Sequence, residues 1–283
     1  MDSLVIQGGQ ALSGSLEVKG SKNAAFAIIG ATLLSPEDFT LHNIPHIGDV
    51  MTLLDLMRSM GAVCEWRDEA LHINTAEVNP EKLDFSLMKR IRGSLALLGP
   101  LAARFDNFRI SSPGGCKIGS RSIETHLAIL KQFGCEIESQ EEFFYISKKK
   151  APQARIILSE FSVTGTEIAV MAAVGFGQDA ERPQEVEIRI AAGADHPVRD
   201  LCWMLEAMGA GIVGQGSATL HIAGGKKLHG VDYTITPDPI EAGTFLALAG
   251  AAREPLLIRN VPQEFLFLEL ATFQAIGIGY ELL

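Results

Sequence analysis

Most of the reactive chemistry in this chain is gathered between Ser112 and Arg121, which read Ser-Pro-Gly-Gly-Cys-Lys-Ile-Gly-Ser-Arg. One thiol, Cys116, stands beside Lys117 and near Arg121. Neighbouring cations favour the thiolate and pull a cysteine below its free pKa of roughly 8.5. The glycines 114, 115 and 119 let the backbone take positive φ and approach a ligand closely. These residues describe a loop that offers a tuned thiol to an anion; a surface turn with an incidental cysteine is the alternative they leave open. A second candidate group is Lys22 with Asn23, which open a helical pattern behind a glycine turn. Helix N-termini attract anions through free N–H groups and the helix dipole. Ser162, Val163, Thr164 and Gly165 precede another helical pattern, where hydroxyls can serve as donors to phosphate or simply as a cap. Arg92 stands at a third such start, and arginine grips phosphate or carboxylate at two points. Lys89 and Arg90 read as a solvated face.

The composition narrows what these groups can serve. The chain has 283 residues, 47% of them apolar and 20% charged, with a formal net charge of −10. That is enough length for two domains and a large core. The negative balance argues against nucleic acid or an anionic membrane surface as a partner. No apolar run reaches the roughly 18 residues that cross a bilayer, and the N-terminus lacks a secretory pattern. Cys64, Cys135 and Cys202 lie far apart in apolar patterns and are expected in the core. With no CxxC pair and no His/Cys cluster, neither zinc nor disulfides are suggested, and a reduced, cytoplasmic location is expected.

The elements that must position these groups recur. Phrases ending in Gly61, Gly134, Gly209 and Gly277 are spaced by about 70 residues, each after a helical period and before a strand-like run. That is the signature of a left-handed glycine closing a helix. Upstream of each lies a helix rich in small residues: 23–34, 93–105, 166–176 and 241–252. Strands follow at 39–44, 108–112, 185–191 and 255–261, and 63–66 with 70–73 reads as a hairpin. A strand pair, 4–7 with 15–18, is expected before the first repeat. Small-residue helices tolerate close approach, so these four are expected inside, with sheets outside. The fourth repeat ends in an apolar stretch, Glu264–Leu283, with no polar cap, so exposed apolar surface needing a partner is expected there.

Three motifs carry a resemblance: the loop Pro113–Arg121, Lys19-Gly-Ser-Lys-Asn-Ala-Ala25, and Pro237-Asp-Pro-Ile-Glu-Ala-Gly-Thr244. In order and spacing they resemble the UDP-N-acetylglucosamine enolpyruvyl transferase family, which performs the first committed step of peptidoglycan synthesis. The resemblance implies an α/β (α+β) fold of inside-out repeats in two domains of three, of which about four of six repeats are present here. It implies a complete first domain over 22–230 and a fragment of the second made of 1–21 plus 231–283. The implied partners are UDP-N-acetylglucosamine and phosphoenolpyruvate, with no metal or organic cofactor. A complementing C-terminal chain is a further implied partner.

The resemblance also assigns roles. Cys116 would protonate the phosphoenolpyruvate methylene carbon and form the adduct with fosfomycin. Lys22 would meet phosphoenolpyruvate and Asn23 the sugar; Arg92 and Arg121 would hold anionic groups. Arg121, Ser122, Ile123, Glu124, Thr125 and His126 stand where the family binds uridine, with Ser122, Glu124 and Thr125 replacing its proline, aspartate and leucine. His126 reads equally as a structural histidine. Ser162, Val163, Thr164 and Gly165 match the diphosphate contact. The related shikimate-pathway enzymes carry an arginine near positions 26–28, where this chain has Phe26, Ala27 and Ile28. The family's base lies beyond the fourth repeat, so the 283-residue chain alone is expected to be inactive. Two readings stand: such a transferase, or a non-catalytic UDP-sugar binder or half of a split enzyme.

Overall fold

The structure, a computed structural model, describes residues 3–9, 11, 13–112, 114, 122–178 and 185–283. It divides into two compact units, residues 21–235 and residues 1–20 with 236–283.

Strand β1 (Ser15–Glu17) belongs to the smaller unit. The larger unit opens with helix α1 (Lys22–Ala31), strand β2 (Asp38–His42), helix α2 (Gly48–Ser59) and the hairpin β3 (Val63–Arg67) and β4 (Ala70–Asn74). Its second repeat follows a short helix α3 (Phe85–Met88). A 3-10 segment, Arg92–Leu97, runs into α4 (Leu98–Arg104), then β5 (Asn107–Ser111), α5 (Glu124–Gln132), and the hairpin β6 (Cys135–Gln140) and β7 (Phe143–Lys148). Strand β8 (Arg155–Ile157) leads to the third repeat: α6 (Val163–Phe176), β9 (Val186–Arg189), α7 (His196–Ala207), β10 (Gly211–Val213) and β11 (Thr219–Ala223). Strand β12 (Asp232–Thr234) closes the unit.

The strands form three sheets in this unit, ordered β12-β2-β4-β3, β5-β7-β6 and β10-β11-β9-β8. The first includes one parallel pair, Asp232 with Thr40 through Thr234 with His42. That pairing, with the Tyr233 hydroxyl donating to buried Asp200 Oδ1 at 2.6 Å, keeps β12 in the larger unit. The crossing to the smaller unit therefore falls after Ile235, five residues beyond the 230 boundary expected from sequence.

Helices occupy the centre. α1, the 3-10 segment with α4, and α6 pack on one another. The approach depends on small residues: a Cβ at Gly99 would come within 2.5 Å of the Ile168 carbonyl oxygen on α6. Gly61, Gly134 and Gly209 follow α2, α5 and α7 with φ of +103°, +82° and +107°, the left-handed conformation that turns each chain into its next strand. Arg104 ties the second repeat to the first, donating to the carbonyls of Leu33, Thr75 and Ala76.

The smaller unit contains β1 paired in parallel with β13 (Leu257–Arg259), helix α8 (Pro239–Ala252) and helix α9 (Phe267–Ala275). Asp238 caps α8 through Ile240 N–H at 2.8 Å, and Glu241 accepts from Lys19 N–H at 2.7 Å. Its core is small: Val18, Ala242, Leu266 and Leu270. Two expectations change here. Residues 4–7 form no strand; Leu4, Val5 and Ile6 stay exposed, because no neighbouring strand pairs with them. And α8 is not interior: Ala242 alone is buried, since among the described residues of this unit no second central helix packs on it. No helix among the described residues is long and apolar enough to cross a membrane.

Candidate active site

One cleft of about 940 Å³ in the larger unit collects most of the residues singled out from sequence. It is built where helices begin. Lys22, Asn23 and Phe26 come from the start of α1, and Asp49 from the first turn of α2. Arg90 to Gly93 lead into the 3-10 segment. Ser122, Thr125 and His126 flank the start of α5, while Glu160, Ser162 and Thr164 flank the start of α6. The N-terminal ends of α1, α2, α5 and α6 thus share one cavity, and their dipoles add to three cationic side chains, Lys22, Arg90 and Arg92. That combination suits a multiply anionic ligand.

Local hydrogen bonds hold these starts in place. Ser162 caps α6, its Oγ accepting from Gly165 N–H at 3.1 Å. Thr166 Oγ1 donates to the Ser162 carbonyl at 2.7 Å and accepts from Ala192 N–H at 2.9 Å, fixing the first turn of α6 against the third sheet's loop. Ser122 Oγ accepts from Glu124 N–H at 3.0 Å, so the hydroxyl stands in for a missing cap at α5. The Ser21 hydroxyl accepts from Ala24 N–H at 3.4 Å. Ser21 is therefore a long, weak cap for α1.

The charges are partly paired. Lys22 Nζ lies 3.5 Å from Asp49 Oδ2, with both side chains about half exposed, so water screens the pair. Arg92 Nη2 donates to the Ser122 carbonyl at 3.4 Å, linking the second repeat's start to α5. His126 is buried, with Nε2 2.8 Å from Thr164 Oγ1. Burial lowers its pKa to about 4, the nearby Arg92 cation adds to that, and the Ile123 carbonyl opposes it weakly. The ring is neutral at pH 7, and its tautomer decides whether the Thr164 hydroxyl donates to Nε2 or accepts from it.

Of the residues named from sequence, Lys22, Asn23, Arg92, Ser122, Thr125, His126, Ser162 and Thr164 line this cleft. Ile123, Glu124, Val163 and Gly165 sit beside it in chain order but are not part of its lining. Cys116, Lys117 and Arg121 lie outside the described residues. Arg90 is exposed, as read from sequence, and it also borders the cleft, while Lys89 beside it pairs with Glu142. Phe26, Asp49 and Glu160 were also missed; of these only Phe26 carried a signal, lying three and four positions from Asn23 and Lys22 on one helix face. Cys64, Cys135 and Cys202 sit in the core, where burial pushes the thiols up to about 11, 11 and 12.

The sequence pattern of EPSP synthase (3-phosphoshikimate 1-carboxyvinyltransferase) matches residues 6–276. The chain belongs to the EPSP synthase family. A UDP-N-acetylglucosamine 1-carboxyvinyltransferase of Campylobacter hominis is 36% identical over 286 residues, covering 100% of this chain and 66% of the relative. One from Deinococcus deserti is 38% identical over 276 residues, covering 97% and 63%. The chain thus spans 63–66% of these relatives' length. Among solved structures, the enolpyruvyl transferase NikO from Streptomyces tendae superposes with a TM-score of 0.78 at 23% identity, over 96% of this chain and 63% of that one. The likeness establishes the enolpyruvyl transferase fold, the α/β architecture expected from the repeats.

Proposed function

We propose that the protein transfers the enolpyruvyl group of phosphoenolpyruvate to the 3-hydroxyl of UDP-N-acetylglucosamine, releasing phosphate, in peptidoglycan synthesis. The observation that carries this reading is the convergence of four helix N-termini with Lys22, Arg90 and Arg92 on one cleft. Two anionic substrates need such a site, and relatives at 36–38% identity bear the name of this activity.

In this reading Lys22 and Arg92 hold the phosphate and carboxylate of phosphoenolpyruvate. Asn23 meets the sugar. Ser162 and Thr164 at the start of α6 meet the diphosphate, and Ser122, Thr125 and His126 border the uridine. A neutral His126 suits that place, because it can orient the Thr164 hydroxyl without competing for anions. Cys116 has the proton-donor role on its sequence context alone: its proton goes to the methylene carbon while a base takes the 3-hydroxyl proton. That oxygen bonds to the adjacent carbon, and loss of phosphate with a proton from the new methyl group then restores the double bond. The full reaction is assigned to the protein as a whole.

Calorimetry tests the cleft directly. UDP-N-acetylglucosamine should bind, and Arg92→Ala should weaken it about tenfold or more, as loss of a charge-assisted contact does. No binding, or binding indifferent to Arg92, would sink the reading. Tight binding with no phosphate release from the protein as a whole would identify a non-catalytic sugar-nucleotide binder instead.

A further inference from the structure

We propose that Phe26 is a specificity-determining residue of this cleft, its ring forming the apolar platform on which the sugar of the nucleotide lies. The proposal rests on the reading of the cleft as a UDP-sugar site and adds the group that recognises the sugar's C–H face.

Seven of the ten residues of α1 are buried; the three that are not are Lys22, Asn23 and Phe26, and all three line the cleft. They share one helix face, so the ring lies one turn beyond the lysine and the asparagine. The surrounding lining is polar or charged, apart from Gly93 and the buried Ile91. Phe26 packs against the core yet keeps part of its surface open where the cleft is lined by cations and hydroxyls, giving up burial that a full core position would provide. A ligand with an apolar face restores it.

The ring is also held in one orientation. A Cβ built on Gly93 would stand 2.8 Å from Cδ1, Cε1 and Cε2 of Phe26 alike, so the ring lies flat over the glycine. Phe26 on α1 and Gly93 in the 3-10 segment are shaped to each other, and a residue with a Cβ at 93 would displace the ring. Of the parts of a UDP-sugar, the diphosphate is served by cations and N–H groups. A pyranose presents C–H bonds on its face, which suit an aromatic ring.

Calorimetry with UDP-N-acetylglucosamine and with UDP as separate probes decides the matter. Phe26→Ala should weaken the sugar nucleotide about tenfold while leaving UDP within about twofold, and retained UDP binding shows that the variant folds. Gly93→Ala, whose Cβ would displace the ring, should weaken the sugar nucleotide similarly while leaving UDP within about twofold. Equal losses for both probes, or an unchanged Phe26→Ala, would each overturn the proposal. Wild-type chain that binds neither probe would overturn the reading of the cleft itself, and the platform with it.

Discussion

Helices α6 and α8 are both 14 residues long and both apolar on every side, yet they live in opposite surroundings. α6 buries ten residues, from Gly165 to Val174, against α4, α5 and α7. α8 buries Ala242 alone, and its Ile240 and Leu248 are 66% and 45% exposed. Composition prepares a helix to be interior, but neighbours make it so. In the larger unit three central helices supply those neighbours to one another; in the smaller unit α8 meets β13 and the Leu266 and Leu270 side chains at the start of α9.

The contrast can be broken most sharply with a charge. Met171→Glu in α6 should cost more than about 4 kcal/mol, the penalty of an unpaired buried carboxylate, whereas Leu248→Glu in α8 should stay within about 0.5 kcal/mol. Urea unfolding of both variants measures the difference. Similar losses would show that α8 is covered in solution.

A single methyl group gives a smaller effect of opposite sign in the two units. Gly99→Ala places a Cβ 2.5 Å from the Ile168 carbonyl and 3.2 Å from Ala172 N, backbone atoms that cannot step aside, and should destabilise by about 2 kcal/mol. Gly243→Ala in α8 meets only Leu266 Cδ2 at 3.9 Å and should stabilise by about 0.5–1 kcal/mol through helix propensity. Thermal melts of the two variants should move in opposite directions.

The third effect is graded with pH and belongs to α6. Glu167 is buried in its second turn, and burial, with the Asp195 carboxylate nearby, pushes its pKa up to about 8. The native chain keeps a proton that the unfolded chain releases above about 4.5, so this contribution is complete below pH 4.5 and is lost as pH rises toward 8. Stability should therefore fall by roughly 1–2 kcal/mol between pH 5 and pH 7 from this group, and Glu167→Gln should flatten that slope. An unaltered slope in the variant would place the titration elsewhere. In α8 the carboxylate of Glu241 is instead engaged by Lys19 N–H.

Much of this was legible in the chain. Gly61, Gly134 and Gly209 announced their helix ends because only glycine takes positive φ at little cost, a property of the residue itself. Ser162 announced its helix start for the same local reason, as a side chain that satisfies a free N–H within three residues. Lys22, Asn23, Arg92 and Ser162 were found because each stands at such a start. Arg90's place at the cleft was not legible, because nothing in Lys-Arg-Ile-Arg says which exposed cation borders the cavity. Asp49 and Glu160 were invisible because carboxylates in an anion site have no reason to be sought.

The sequence by itself determined the repeats, the helix starts and stops, and the residue types gathered at each start, since all of these depend on backbone sterics and hydrogen bonds a few residues long. Only the tertiary structure decided that four helix starts share one cleft, that His126 is neutral within it, and that Phe26 lies flat on Gly93. It alone decided that α6 is interior and α8 is not. Those outcomes turn on distances between segments far apart in the chain, where desolvation and packing, not local propensity, set the energy.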